Sequence, residues 1–121
     1  MENPRPENSP FWEAKIAAHP TTPFARRVWK AMLKIPRGKV ATYQAIAKMS
    51  SNSKASRAVG NACNQNPFAP DVPCHRVVSS SGEIGGYAHG TKKKIELLKS
   101  EGIVVRKNKI VDFEKVVFKS K

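Results

Sequence analysis

The stretch Val72-Pro73-Cys74-His75-Arg76-Val77-Val78 places a thiol directly beside an imidazole and a guanidinium, inside a short apolar run. A neighbouring His or Arg charge is expected to lower the pKa of a thiol towards the physiological range, and the thiolate is the nucleophilic form. The same pattern also fits a β-strand with a buried cysteine, because free cysteine is among the most buried residue types. The flanking sequence has to decide between a reactive thiol and a core residue.

The composition indicates one basic domain. The chain has 121 residues, of which 40% are hydrophobic, and its 22 Lys and Arg against 9 Asp and Glu give a net charge of +13. The first 20 residues hold more acidic than basic side chains, so the positive charge lies in the remainder. A domain this basic usually binds a polyanion. Nucleic acid is the leading candidate, ahead of an anionic membrane, which would require a basic amphipathic helix.

Two further features of the sequence concern location and redox state. Neither a signal peptide nor an apolar run of membrane-spanning length is visible, so we expect a protein that is not secreted. It would be cytoplasmic and nucleoid-associated in a prokaryote, or nuclear in a eukaryote. Cys63 and Cys74 show no Cys-x-x-Cys spacing, so we expect two free thiols and no zinc.

Capping residues and apolar spacing predict four helices after residue 20. Thr22-Pro23 begins the first, which ends near Ile35, and Thr42 caps a second over about residues 43–49. A third runs over about residues 54–64, and Thr91 caps a fourth over residues 92–100. The fourth is predicted to turn Lys92, Lys93, Lys94 and Lys99 largely outward. A hairpin is expected over residues 103–113.

The third predicted helix has two chemically different faces. Its apolar face consists of Ala55, Ala58, Val59, Ala62 and Cys63, and its polar row consists of Lys54, Arg57, Asn61 and Asn64. Such polar side chains hydrogen-bond phosphates or base edges, although a polar row is normal on any solvated helix. With the preceding helix and the polar turn at residues 50–53, this helix has the outline of a helix-turn-helix.

Several sequence blocks resemble one known family. They are Thr22-Pro23-Phe24, Val28-Trp29, Ile35-Pro36-Arg37-Gly38-Lys39-Val40-Ala41-Thr42-Tyr43, Ala55-Ser56-Arg57-Ala58-Val59-Gly60, Asn66-Pro67, Pro73-Cys74-His75-Arg76-Val77 and Leu97-Leu98 with Glu101-Gly102. Together they resemble the C-terminal domain of methylated-DNA-protein-cysteine methyltransferase, also called O6-alkylguanine-DNA alkyltransferase. The resemblance implies a mainly α fold with short β-strands, of winged helix-turn-helix type, over residues 21–121.

The resemblance implies direct-reversal DNA repair. Such proteins flip O6-alkylguanine out of duplex DNA and transfer the alkyl group irreversibly to their own cysteine, here Cys74, in a single turnover. O4-alkylthymine is a second candidate substrate. The expected partner is double-stranded DNA containing the lesion, bound by a monomer without a cofactor, and cooperative binding is left open. The alternatives are a non-enzymatic alkyltransferase-like lesion-binding protein or a winged-helix regulator; alkyltransferase-like proteins carry tryptophan at the cysteine position.

The resemblance also assigns roles to individual residues. His75 would take the Cys74 proton through a water, and Glu101 would orient His75. Asn66 would brace the cysteine loop, and the Tyr43 hydroxyl would donate to guanine N3. Arg57 would enter the base stack in place of the flipped nucleotide, with Thr42, Lys54, Ala55, Ser56 and Asn61 also at the DNA surface. The base pocket would be formed by Tyr43, Cys74, Val77, Tyr87, Ala88 and His89.

Two departures from the family pattern stand out. The family usually has an N-terminal domain, sometimes with a structural metal, whereas residues 1–20 are expected to be a largely mobile leader with at most a helical turn at Phe11 and Trp12. We therefore expect no full N-terminal domain and no metal. His89 stands where the family commonly has glycine, and we expect it to narrow or polarise the mouth of the pocket.

Overall fold

The computed structural model describes residues 10–119, which fold into helices and two small sheets. The helices are α1 (Pro10–Ala18), α2 (Pro23–Met32), α3 (Tyr43–Met49), α4 (Ser56–Asn64), α5 (Thr91–Ser100) and α6 (Phe113–Val116). The strands are β1 (Ala41–Thr42), β2 (Val77–Val78), β3 (Val105–Arg106) and β4 (Lys109–Ile110), and a short 3-10 helix spans Cys74–Arg76. The predicted mainly α class with short strands is confirmed.

Threonine caps determine where α2 and α3 begin. The Thr22 hydroxyl accepts a hydrogen bond from the Ala25 amide at 3.1 Å, and the Thr42 hydroxyl accepts one from the Ala45 amide at 3.0 Å. Each bond satisfies a backbone donor that has no partner within the first turn of a helix. Both caps and the bounds of α3 are as predicted from the sequence.

The starts of α4 and α5 differ from the prediction. Helix α4 begins at Ser56, two residues later than expected, and has no side-chain cap. Thr91 is itself the first residue of α5, so its predicted capping role is wrong. The preceding residue is Gly90, whose φ of +95° suits glycine and sets the direction in which the chain enters the helix.

The main core lies between α2, α3 and α4. Trp29 is fully buried there, and its indole Nε1 donates to the Ala62 carbonyl at 2.9 Å. Strands β1 and β2 pair in parallel, with Ala41 opposite Val77. This pairing attaches the segment after Cys74 to the segment before α3, so the cysteine lies next to the paired helices.

Helix α1 is more ordered than the sequence suggested. It spans nine residues, and Ile16 is fully buried in the main core. Phe68, in the loop before Cys74, lies within 6.1 Å of the Trp12 and Trp29 rings and 5.5 Å of the His19 ring, measured between centroids. Trp12 thus packs on the body within a helix, as the sequence allowed, but the helix is longer than the short turn expected, and the expectation of mobility is wrong for residues 13–18; residues 1–9 lie outside the described part of the chain.

The C-terminal segment forms the predicted hairpin, in a shorter form. Strands β3 and β4 pair antiparallel, but Phe113, predicted as strand, begins α6. Asp112 precedes it with a left-handed φ of +55°, a conformation that aspartate tolerates and that ends the strand. Val117 then forms a parallel bridge with Val40. Within residues 10–119 no helix has the length and apolar character needed to cross a bilayer.

Candidate active site

Cys74 lies at the start of the 3-10 helix and is only 3% exposed. The loop before it is closed by Asn66, whose Nδ2 donates to the Val72 carbonyl at 2.7 Å and whose Oδ1 accepts from the Phe68 amide at 2.9 Å. One side-chain amide thus joins both ends of the loop. This is the geometry expected of a residue that braces the cysteine loop.

His75, Arg76 and Glu101 form a buried cluster directly after Cys74. His75 Nε2 lies 2.9 Å from Glu101 Oε2, and the imidazole is 1% exposed. Arg76 donates from Nε to Oε1 and from Nη2 to Oε2 of the same carboxylate, both at 2.9 Å. Its Nη1 donates to the Ile35 carbonyl at 2.7 Å. The structure therefore brings together His75 and Glu101, which are 26 residues apart in the chain.

The carboxylate of Glu101 is strongly favoured in its ionised form. Burial alone would raise its pKa, but the hydrogen bonds and electrostatic attraction of His75 and Arg76 outweigh burial and lower the pKa to about 2. Glu101 follows the last turn of α5, where the helix dipole disfavours an anion. The hydrogen bonds of His75 and Arg76 to the carboxylate compensate for that position.

Glu101 contacts only one of the two ring nitrogens of His75. Nδ1 is buried and forms no hydrogen bond within the described residues. Because Glu101 engages Nε2, the ring orientation is fixed and Nδ1 is the nitrogen that remains.

The pKa of the Cys74 thiol is raised, whereas residues 72–78 alone suggested that it would be lowered. Burial raises it above its ordinary value, and the Asn66 amide, the Lys94 charge and the Tyr87 hydroxyl oppose this only in part. The Arg76 guanidinium is taken up by Glu101 and a backbone carbonyl. The expectation that adjacent His or Arg charge lowers the pKa of this thiol is therefore wrong, and a proton acceptor is needed for it to react.

Lys94 is the main correction to the sequence analysis. It was expected to face outward with its neighbours on α5, yet it is fully buried. Its Nζ donates to the Val77 carbonyl at 2.7 Å and the Gly86 carbonyl at 3.0 Å, and it lies 5.8 Å from the centre of the Tyr43 ring. Burial lowers its pKa to about 8. Helical spacing could not reveal it, because its partners are backbone carbonyls of other segments.

A cavity of about 220 Å³ opens beside Cys74. Its lining residues are Tyr43, Gly60, Asn61, Cys63, Asn64, Cys74, Gly86, Tyr87 and Ala88. Four of the six residues predicted for the base pocket are among them. Val77 is buried and does not line the cavity, and His89 is exposed, with its ring 5.4 Å from that of Tyr87. Cys63 was expected only in the core; it is buried but also reaches this cavity.

Tyr43 and Gly85 are in close contact at one wall of the cavity. Gly85 has a φ of +73°, and a Cβ at this position would lie 2.8 Å from the Tyr43 hydroxyl oxygen, so only glycine fits. Burial, and then the neighbouring thiols Cys63 and Cys74, raise the pKa of Tyr43 to about 12. Its hydroxyl is therefore protonated at neutral pH and can donate a hydrogen bond.

A second cavity, of about 480 Å³, adjoins the first on the side of α4. It is lined by Tyr43, Gln44, Ser56, Arg57, Gly60, Ser79 and Ser80. Tyr43 and Gly60 belong to both cavities. Arg57, Asn61 and Asn64 on α4 are exposed as predicted, and so is Lys54, which lies in the turn before the helix. Of the other residues predicted at the DNA surface, Thr42 caps α3 and Ala55 precedes α4, and neither lines this cavity.

The sequence model of the 6-O-methylguanine DNA methyltransferase, DNA binding domain, matches residues 23–103. The chain belongs to this family. This family member is 53% identical over 91 residues to the methylated-DNA–protein-cysteine methyltransferase of Methanosarcina acetivorans, a match that covers 75% of the chain and 58% of the relative. The chain spans little more than half the length of the curated relatives it matches.

Two solved structures resemble this member of the methyltransferase family. Mycobacterium tuberculosis OGT in complex with DNA superposes with a TM-score of 0.67 and 46% identity, over 69% of this chain and 51% of that one. S. pombe Atl1, in complex with damaged DNA containing O6-carboxymethylguanine, superposes with a TM-score of 0.71 and 27% identity, over 84% of this chain and 100% of that one. The alkyltransferase-type fold expected from the sequence is thereby confirmed.

No group of three or more His, Cys, Asp and Glu side chains among residues 10–119 is arranged to hold a metal ion. The potential ligands at the site are instead engaged with one another, as Glu101 is with His75 and Arg76.

Proposed function

We propose that this family member repairs alkylated duplex DNA by transferring the alkyl group from O6 of guanine to Cys74. The observation that carries the proposal is the position of Cys74, which lines a cavity and is followed in the chain by a His75–Glu101 pair 2.9 Å apart. O4-alkylthymine, which also presents an alkylated carbonyl oxygen, is a second substrate for the same site.

The proposed reaction is a single displacement at carbon. The Cys74 proton passes to His75 Nδ1, through a water, and the sulfur then attacks the alkyl carbon. A new S–C bond forms while the C–O6 bond breaks, and the bonding electrons move into the purine. Tyr43 donates its hydroxyl proton to guanine N3, so that the base leaves as a neutral species and a tyrosinate remains to balance the imidazolium of His75. Because a thioether is stable, each molecule reacts once.

The His75–Glu101 pair supports the base assignment. The ionised Glu101 carboxylate holds Nε2 and stabilises the imidazolium that forms when Nδ1 takes a proton. The raised pKa of the Cys74 thiol makes such a base necessary at neutral pH.

The surface around Arg57 supports DNA as the partner. Arg57 lies on the exposed face of α4, and its cavity shares Tyr43 and Gly60 with the Cys74 cavity. A nucleotide flipped from the duplex would therefore pass from the Arg57 side to the thiol, while the guanidinium fills the space it leaves. We propose lesion-containing double-stranded DNA as the partner of a monomer, in the cytoplasm of a prokaryote or the nucleus of a eukaryote.

A second candidate function is lesion binding without transfer. It is favoured by the likeness to S. pombe Atl1 in complex with damaged DNA, at a TM-score of 0.71. The thiol at position 74 and its hydrogen-bonded neighbours favour transfer over binding alone.

The stoichiometry of repair tests the proposed function. The protein would be incubated with an excess of duplex containing O6-methylguanine, and restored guanine would be counted over time. One guanine per protein molecule, with no further increase, is expected. Continued turnover would contradict single use of Cys74, and binding without any restored guanine would establish the second candidate.

A further inference from the structure

The C-terminal hairpin carries a cluster of cations that the proposed mechanism does not use. We define the basic hairpin as residues 105–110, which include the exposed Arg106, Lys107 and Lys109. It lies beyond residues 23–103, the part of the chain that matches the family. We propose that the basic hairpin is a second phosphate-binding surface, which contacts the backbone of duplex DNA beside the lesion; this rests on the proposed function.

The register of the hairpin sets the direction of its side chains. Val105 pairs with Ile110, and Arg106 pairs with Lys109. Ile110 is buried in a second, smaller core, where it packs with residues that include Ile84 and Leu98, so the neighbouring pair faces the opposite side of the sheet, towards solvent. The two residues of the connecting turn, Lys107 and Asn108, have positive φ angles of 53° and 63°, which close a tight two-residue hairpin.

The cations of the basic hairpin are crowded and unpaired. Arg106 and Lys109 lie directly opposite each other, an arrangement of like charges that weakens a hairpin. Glu83 lies across the other side of Lys109 in an antiparallel bridge, yet neither it nor any other carboxylate of residues 10–119 forms an ion pair with the three cations. A bound anion would relieve this repulsion.

The basic hairpin is hydrogen-bonded to residues 82–84, which follow Ser80 in the chain and precede Gly85. Ile110 donates its amide to the Gly82 carbonyl at 2.8 Å, and the Asn108 carbonyl accepts from the Ile84 amide at 2.9 Å. Ser79 and Ser80, just before this segment, line the Arg57 cavity, and Gly85, just after it, contacts Tyr43. Because hydrogen-bonded strands lie about 4.8 Å apart, the hairpin backbone runs directly beside residues 82–84. The hairpin backbone is thus hydrogen-bonded to the segment that connects Ser80, in the lining of the second cavity, with Gly85 at the wall of the first.

The repeated phosphates of a duplex fit this cluster. Binding by Lys and Arg releases counterions from DNA, so each phosphate contact adds about 0.9 to the slope of log affinity against log salt. Such contacts are independent of sequence, as a protein that searches for damaged bases requires.

The test compares two triple variants of the full chain. The first is Arg106→Gln/Lys107→Gln/Lys109→Gln. The control, Lys30→Gln/Lys34→Gln/Lys99→Gln, removes the same charge from exposed lysines that line neither cavity. Affinity for an undamaged duplex is measured over a range of salt concentrations. The hairpin variant is expected to reduce the magnitude of the slope of log affinity against log salt by about 2 to 3, for two or three lost phosphate contacts. The control is expected to keep a slope near that of the wild type.

Two further measurements keep the outcomes distinct. Melting temperatures of both variants at or above that of the wild type establish that both are folded, and transfer from free O6-benzylguanine reports the chemistry without DNA. A hairpin variant with the wild-type slope, or a control that loses as much slope, overturns the phosphate-binding proposal while the proposed function stands. Absence of transfer by the wild-type protein removes the proposed function, whatever the slopes are.

Discussion

At the scale of single residues, Glu101 links His75 and Arg76, the two residues that follow Cys74. Arg76 donates to both of its oxygens and is itself held by the Ile35 carbonyl, so the carboxylate has one orientation. His75 then meets that carboxylate at 2.9 Å. An arginine fork of this kind fixes geometry as well as charge. Arg76, for which the sequence suggested only an effect on the thiol, instead positions the carboxylate that holds the base.

Glu101→Gln is expected to remove an acid-sensitive part of the stability. The folded pKa of about 2 lies below the ordinary value of 4.5, so the ionised carboxylate stabilises the fold above about pH 4.5 and loses this effect as the pH falls towards 2. The shift corresponds to at most about 3 kcal/mol before solvent screening. Urea unfolding at pH 7 and pH 3 should show a smaller acid loss for the variant than for wild type. An equal loss would contradict the assigned pKa.

Lys94→Met is expected to loosen the loop that covers the cavity. The variant keeps the length of the side chain but leaves the Val77 and Gly86 carbonyls without their donor. Hydrogen exchange at residues 86–88 should quicken, and transfer from free O6-benzylguanine should slow by about tenfold or more because the loop is displaced. Lys93→Met, at the exposed neighbouring position, is the matched control. Unchanged exchange in the Lys94 variant would remove its positioning role.

The sequence was informative about single residues where the chemistry is local. Cys74 and His75 are adjacent, and Asn66, whose bracing role the resemblance implied, lies only six positions before its partner Val72. The resemblance added Glu101, whose contact with His75 depends on tertiary folding. The burial of Lys94 was not predicted because a lysine on a helix is normally solvated, and only the assembled fold supplies the carbonyls that accept its hydrogen bonds. The pKa of Cys74 was misjudged because burial and the capture of Arg76 by Glu101 are both tertiary effects.

At the scale of elements, α4 is the helix proposed to enter DNA. Its apolar residues Val59, Ala62 and Cys63 are buried, while Arg57 is exposed beside the second cavity. This division into a packed face and a polar face is the one that helical spacing predicts. That α3 and α4 act together as a DNA-binding helix-turn-helix remains a prediction, which a measurement of DNA binding would test.

Arg57→Ala is expected to affect duplex substrates more than the free base. If the guanidinium occupies the stack in place of the flipped nucleotide, its loss costs energy only when a duplex is present. Transfer from O6-methylguanine in duplex should slow by at least about tenfold, which corresponds to about 1.4 kcal/mol, and transfer from free O6-benzylguanine should not. Rates measured on both substrates decide the matter, and equal losses would refute the assignment of Arg57 to the stack.

Elements with local signals were predicted well. The threonine caps located α2 and α3, and Gly102 ends α5 with a positive φ of 84°, as the Glu101-Gly102 pair suggests. The order of α1 depends on Phe68 and Trp29, which lie far along the chain, and so local sequence underestimated it. The bridge between Val40 and Val117 is likewise a long-range pairing.

At the scale of the whole molecule, two chain segments flank the part that matches the family. Helix α1 packs on the loop before Cys74, and the C-terminal segment adds the basic hairpin and pairs with Val40. The first packs against the loop that carries the thiol, and the second adds the exposed cations for which we propose phosphate binding. The net charge of +13 alone indicates a polyanionic partner, but it does not locate the surface.

The central claim is that Cys74 itself accepts the alkyl group. The most direct measurement is the intact mass of the protein, with peptide mapping, after incubation with duplex containing O6-methylguanine. We predict a gain of one methyl group in place of one hydrogen, located on Cys74 and absent in Cys74→Ser. A protein that binds the lesion but keeps its original mass, or carries the methyl group at Cys63, would contradict the account.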